Sequence, residues 1–326
     1  MNILIVGLGS IGKKHLASLN QLKRQFCLNI FVFQPASYGA QYFFDLKKNI
    51  IKNQIKAVII CNPTNLHLKT TKISLELGAN VFVEKPLSAI YTLKEFKKLD
   101  QISQKRKLTI MVGYDMRFNP WIMEIERLIK NKIIGDVWGG RILAGQYLPD
   151  WRKNVDYRQV YSAKKKMGGG VLLDLSHELD YLNWLVSKPI KKILARKFFT
   201  QRLKIETEDI CSLIVEYKDK TVIEIHLDYL IKPYRRTIEL YGSRGTLVWD
   251  DNEQVIKVYQ SQIHSPKLVR VKLMTGQQIL LTEMKHFFDC IVKYKTPINS
   301  LNNSILVSKI IDRADQSFKT NKTVNL

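Results

Sequence analysis

Ile3-Leu4-Ile5-Val6-Gly7-Leu8-Gly9-Ser10-Ile11-Gly12 sets four apolar residues directly before a G-x-G-x-x-G hexapeptide. A short run that is apolar at every position reads as a strand covered on both faces, and the glycine-rich turn after it opens a helix. In that context the first glycine permits the tight turn, the second lets backbone approach a pyrophosphate, and the third packs helix against strand. The helix N-terminus adds free N–H groups and a partial positive charge. Gly7, Gly9, Ser10, Ile11 and Gly12 are therefore expected to hold a dinucleotide. Its 2′ group is less legible. The end of the next strand is where an acidic residue would bond ribose hydroxyls or an arginine would take a 2′-phosphate. Gln34 stands there, followed by Pro35, Ala36, Ser37 and Tyr38. Gln34 can bond a hydroxyl and does not repel a phosphate, so NAD and NADP are both open.

The same grammar runs on to about residue 115. Apolar runs at 30–33, 57–60, 81–83 and 109–112 alternate with helix-period segments at 11–24, 67–77 and 92–106, as a parallel sheet flanked by helices requires. From about residue 135 the pattern changes to strands with in-out alternation and short turns, at 137–148, 190–199, 209–217, 221–230, 236–241, 246–249, 255–259 and 268–273, which reads as a mostly antiparallel sheet. Helices are expected at 119–131, 170–186, 281–294 and 301–318. The fold class is thus α/β. A Rossmann dinucleotide-binding domain at 1–118 precedes an α+β substrate-binding and oligomerisation domain with a large sheet at 119–326.

Composition narrows the function classes. With 326 residues, 45% hydrophobic, disorder and fibrous architectures are excluded. Lys+Arg number 52 against 29 Asp+Glu, a formal charge of +23. The basic residues are spread along the chain, and no helix-turn-helix, zinc pattern or aromatic-studded basic strand accompanies them. Neither a nucleic-acid partner nor a metal site is therefore expected. Cys27, Cys61, Cys211 and Cys290 are far apart and read as free thiols of a reducing compartment. No signal-peptide pattern and no apolar run long enough to span a bilayer is present, which points to a cytoplasmic protein away from membranes.

Further motifs lie in order along the chain. Val58-Ile59-Ile60-Cys61-Asn62-Pro63-Thr64-Asn65-Leu66-His67 and Asn80-Val81-Phe82-Val83-Glu84-Lys85-Pro86-Leu87 each end a strand in a proline-bearing turn. Val112-Gly113-Tyr114-Asp115-Met116-Arg117-Phe118-Asn119-Pro120, the stretch from Gly168-Gly169-Gly170 through Asp174 and His177 to Asp180, and Tyr241-Gly242-Ser243-Arg244-Gly245-Thr246-Leu247 follow. With the glycine fingerprint these six motifs resemble the glucose-fructose oxidoreductase and inositol dehydrogenase family, Gfo/Idh/MocA, over most of the chain. The resemblance implies a nicotinamide cofactor, a sugar, cyclitol or sugar-nucleotide substrate over the C-terminal sheet, and a homodimer or homotetramer formed through that sheet. It also implies that Lys85, Asp174 and His177 line the reaction centre and that Pro86 follows a cis peptide bond.

Physical chemistry supports that assignment. Oxidising a secondary alcohol requires the hydroxyl proton to leave with the hydride, and imidazole titrates near pH 6.5. His177 is thus the expected base, Lys85 the group that binds the reacting oxygen, and Asp174 the group that orients substrate or histidine. Asp174 and His177 stand three apart on one expected helix, whereas the family pattern has four. Asn62, Pro63, Thr64, Asn65, His67 and Glu84, together with Lys85, are expected to touch the cofactor, and Arg117 to touch substrate or serve as a structural hinge. The loop 145–158 is aromatic and charged, and its Tyr147, Trp151, Arg152 and Tyr157 are expected to bind substrate; Arg158 offers a second guanidinium. Its Tyr-Leu-Pro-Asp-Trp-Arg segment resembles that of relatives in surface-polysaccharide chemistry, and by that analogy implies a sugar-nucleotide substrate. The readings set against this are reduction of a non-sugar substrate and a catalytically silent NAD(P)-binding regulator.

Overall fold

The computed structural model describes residues 1–88, 90–152, 154–261 and 265–326. Its contacts divide the chain into two units, Met1–Phe118 with Met274–Ser308 and Asn119–Leu273 with Lys309–Leu326.

The first unit opens with β1 (Asn2–Val6), α1 (Ser10–Leu22), β2 (Asn29–Phe33), α2 (Ala40–Lys52), β3 (Ala57–Ile60), α3 (Thr64–Glu76), β4 (Asn80–Glu84), α4 (Leu93–Arg106) and β5 (Ile110–Gly113). The strands form one parallel sheet in the order β2-β1-β3-β4-β5. Every residue of β3 and β5 is buried, which explains their unbroken apolar sequence. β2 differs from the expectation of full cover: it is the edge strand, and its Val32 is 44% exposed. The helix α2 was not among the expected elements. It buries Tyr42, Leu46 and Ile50, a stripe at four-residue spacing.

The second unit contains α5 (Pro120–Lys130), β6 (Val137–Gly145), a loop of short 3-10 turns, α6 (Val171–Asp174), α7 (His177–Val186), β7 (Ile190–Phe198), β8 (Ile210–Tyr217), β9 (Val222–Asp228), β10 (Arg235–Gly242), β11 (Gly245–Asp250), β12 (Val255–Gln260) and β13 (Lys267–Val269). After α8 (Gly276–Lys293) and α9 (Leu301–Thr320), β14 (Val324–Asn325) closes the chain. Among the described residues the sheet runs β13-β12-β11-β10-β6-β9-β8-β7-β14. All its neighbours pair antiparallel except β6 and β9.

The expectation of one domain over 119–326 differs from these contacts. Met284, Phe287 and Phe288 of α8 sit in the same core as Ile3, Ile5 and Phe82. Asn299 then lies along β5: its backbone carbonyl accepts from Val112 N–H, and its side-chain amide donates to the carbonyls of Val112 and Tyr114. The returning chain thus covers the open edge of the parallel sheet, a common way of shielding an exposed strand. No described helix is long and apolar enough to cross a membrane.

Candidate active site

In the first unit the strand order reverses between β1 and β3, and ligands of open α/β sheets bind outside the carboxyl ends of strands at such a switch point. The loops there are Gly7–Ser10 and Cys61–Thr64. Gly7 has φ +89° and donates its N–H to the Phe33 carbonyl at 3.0 Å; a Cβ on it would lie 2.9 Å from the Cys61 carbonyl oxygen. A Cβ on Gly12 would lie 2.1 Å from the Gly7 carbonyl oxygen. At Gly9 a Cβ would meet nothing within 4 Å, and no side chain caps the N-terminus of α1, which Ser10 and Ile11 begin. Close packing at the outer glycines and open space at the middle one form the cradle a pyrophosphate fits. The Gln34 Oε1 accepts the Leu8 N–H at 2.5 Å, tying the end of β2 to the glycine turn.

Several residues expected to touch the cofactor instead brace the loops around it. His67 is 1% exposed, and its ring nitrogens lie 2.8 Å from the Pro86 and Asn62 carbonyl oxygens. It joins the turn after β3 to the turn after β4 and is too enclosed to be a direct ligand. The Asn62 amide donates to the Tyr42 hydroxyl and Thr70 Oγ1. Glu84 is held by the fully buried His15 through an Nε2–Oε1 contact of 2.5 Å, and its other oxygen accepts the Lys85 N–H at 3.3 Å. Beside Glu84 the Cys61 thiol is pushed well above its ordinary range, first by burial and then by the carboxylate. Thr64 is buried, whereas Pro63, Asn65 and Lys85 are at least partly exposed. The Lys85–Pro86 peptide is cis.

Arg117 departs from its expected place on the substrate. It is 2% exposed and donates from Nη1 to the Ile298 carbonyl at 2.8 Å. The structural alternative is the one its burial favours.

In the second unit, Asp174 and His177 do not share a continuous helix. α6 ends at Asp174, a turn in which Leu175 leaves the α region interrupts the helix, and α7 begins at His177. The expected one-face, three-apart geometry therefore does not apply. Upstream, Gly170 has φ +124°, and a Cβ on it would press within 2.7 Å of the Glu208 carboxylate, so the turn that launches α6 requires glycine. Asp174 is buried and accepts the Tyr229 hydroxyl at 2.6 Å. Tyr161 bonds the same carboxyl; burial, and after it the Asp174 charge, push both phenols well above their usual range. The sequence reading missed both tyrosines, because Tyr229 reaches Asp174 from just past the end of β9 and Tyr161 from the loop ahead of α6, and no local spacing announces them. His177 is half-buried at the first position of α7.

The loop after β6 gathers around that carboxylate. Trp151 packs edge-on against Tyr229 with centroids 5.4 Å apart and donates its indole N–H to the Gln146 carbonyl. The Leu148 N–H donates to the Tyr229 carbonyl. The Arg152 guanidinium lies over the Tyr161 ring, and the Lys232 ammonium 3.5 Å over the Tyr147 ring. Tyr157 carries Arg158 over its ring, and Arg158 is bound through two nitrogens to Asp156. Lys153 of this loop lies outside the described residues.

A parallel dinucleotide-binding unit joined to a large sheet whose helix-borne carboxylate and histidine follow a triple glycine defines a class of two-unit nicotinamide oxidoreductases. Residues 1–114 match the oxidoreductase family with an NAD-binding Rossmann fold, and residues 122–248 match the GFO/IDH/MocA C-terminal domain. The chain belongs to the Gfo/Idh/MocA family and is an NAD(P)-dependent oxidoreductase. It is 22% identical to a myo-inositol 2-dehydrogenase of Thermotoga maritima, over 77% of this chain and 75% of that one. It is 24% identical to an uncharacterised oxidoreductase, YrbE, of Bacillus subtilis, over 76% and 73%. In fold it resembles a levoglucosan dehydrogenase solved with NADH and L-sorbose, with TM-score 0.82, 17% identity and coverage of 100% and 98%.

Proposed function

We propose that the chain exchanges hydride between NAD(P) and a secondary alcohol or ketone of a sugar, cyclitol or sugar nucleotide. The observation that carries this reading is Asp174, a buried carboxylate fixed by two tyrosine hydroxyls, placed by the triple-glycine turn just ahead of His177. Such a carboxylate is a rigid acceptor for a substrate hydroxyl. The nicotinamide, when bound, supplies the hydride chemistry. The protein's own part is to hold the polyol and move one proton: His177 takes the hydroxyl proton on its imidazole, Lys85 donates from Nζ to the reacting oxygen and steadies its developing charge, and Asp174 orients the sugar. The His15–Glu84 pair and the His67 brace keep the Lys85 turn in place. The aromatic loop with Tyr147, Trp151, Arg152 and Tyr157 selects the substrate, and a sugar nucleotide used in polysaccharide synthesis suits its charge.

Copies of the chain associate through the exposed face of the nine-stranded sheet. Register places Val222 beside Gly139 and Tyr241 on that face, with Ile214 further across it, and all three side chains are exposed.

Initial rates with NAD⁺ and NADP⁺ over a panel of cyclitols, aldoses and nucleotide sugars test the chemistry. Lys85→Met is expected to lower kcat/KM by about a hundredfold or more while NADH still binds. Full turnover in that variant would put the reaction centre elsewhere.

A further inference from the structure

We propose that the substrate seated at Asp174 carries an anionic group, a carboxylate or a phosphate, and that Arg152 and Lys232 receive it. This rests on the polyol reading above and narrows it.

Around the loop Arg158 is paired with Asp156, Lys164 with Glu206, Arg235 with Asp250 and Arg236 with Glu178, while Lys165 and Lys166 are exposed and make no ion pair among the described residues. Arg152 and Lys232 have no carboxylate partner among the described residues. Each rests on an aromatic ring instead, Arg152 with its guanidinium carbon 5.7 Å from the Tyr161 centroid and Lys232 with its ammonium 3.5 Å from the Tyr147 centroid. A ring holds a cation in place without neutralising it, and a stacked guanidinium keeps its in-plane N–H edge for an acceptor.

These rings are continuous with the Asp174 site. Tyr161 bonds Asp174 through its hydroxyl. Tyr147 adjoins Leu148, whose N–H is fixed to the carbonyl of Tyr229, the other tyrosine on Asp174. One end of the arrangement is thus an acceptor for hydroxyls, and the rim offers two ring-held cations without a carboxylate partner among the described residues. A neutral polyol uses only the first part. A sugar acid or sugar phosphate uses both, and the cations supply the charge-assisted bonds that fix its orientation.

The test measures binding of D-glucuronate and glucose 6-phosphate against D-glucose and myo-inositol, using NADH-loaded protein and following nicotinamide fluorescence. At least one anionic probe is expected to bind about tenfold or more tightly than the neutral pair, and which one separates carboxylate from phosphate. Arg152→Met or Lys232→Met should remove most of that difference, and Arg152→Lys should restore part of it. The difference should also narrow as ionic strength rises from about 0.01 to 0.15 M. Equal affinities, tighter neutral probes, a difference that survives both methionine variants, or binding of none of the probes to the loaded protein would overturn the inference. A chain that does not bind NADH would instead contradict the oxidoreductase reading beneath it.

Discussion

Gly9 and Gly12 occupy one turn of backbone and answer to different constraints. A methyl group at Gly12 would collide with the Gly7 carbonyl oxygen, whereas one at Gly9 would stand in open space. Gly12→Ala is therefore expected to cost about 1–3 kcal/mol of stability, read from urea unfolding. Gly9→Ala should leave stability unchanged and weaken NADH binding by about tenfold, because its methyl enters the space a pyrophosphate needs. Equal effects of the two changes on both measurements would contradict this division. The glycine spacing was legible in sequence because it reflects a single local turn. The fates of His67 and Arg117 were not, because burial against the Pro86 and Ile298 carbonyls is decided by segments distant in the chain. A histidine or arginine beside a motif looks the same whether it faces ligand or core. Tyr161 and Tyr229, the partners of Asp174, were hidden for the same reason.

At the scale of elements, strands were read closely because each is a short apolar or alternating run. The helix α2 was passed over although Tyr42, Leu46 and Ile50 mark its buried face; Phe44 and Ile51 lie exposed on its outer side, so apolar residues around the helix blur that stripe. The break between α6 and α7 was also missed, since Leu175 and Ser176 carry no breaker residue. The turn between β8 and β9 supplies a pH prediction. Lys188 donates to the Asp219 carboxylate at 2.6 Å, and also to the Val137 carbonyl and Thr221 Oγ1. That ammonium holds the Asp219 carboxyl down from 3.8 to about 2. A carboxyl whose folded pKa lies below its unfolded value stabilises the fold above the unfolded value and loses that contribution as pH falls through the folded one. The Tm of the native chain is therefore expected to fall more steeply than that of Asp219→Asn between pH 4 and pH 2. Parallel curves would show that the pair does not contribute.

For the whole molecule, periodicity alone predicted two kinds of sheet but not where the chain between Met274 and Ser308 would pack. Its amphipathic helix suits either core, and only the match of Met284, Phe287 and Phe288 to the first unit settles its place. The charge of +23 likewise has no single owner. Surface ion pairs such as Lys132–Asp136 and Lys285–Asp289 are neutral in sum and contribute little individually, so they leave that excess untouched. A local use remains at the glycine turn and at the cations around Asp174. If the chain works on a nicotinamide cofactor bound at Gly7–Gly12, titration of the intact protein with NADH and with NADPH, following nicotinamide fluorescence, reports that binding. A saturable change with at least one of the two, lost or much weakened in Gly9→Ala, is the predicted result; no change with either cofactor would contradict the account.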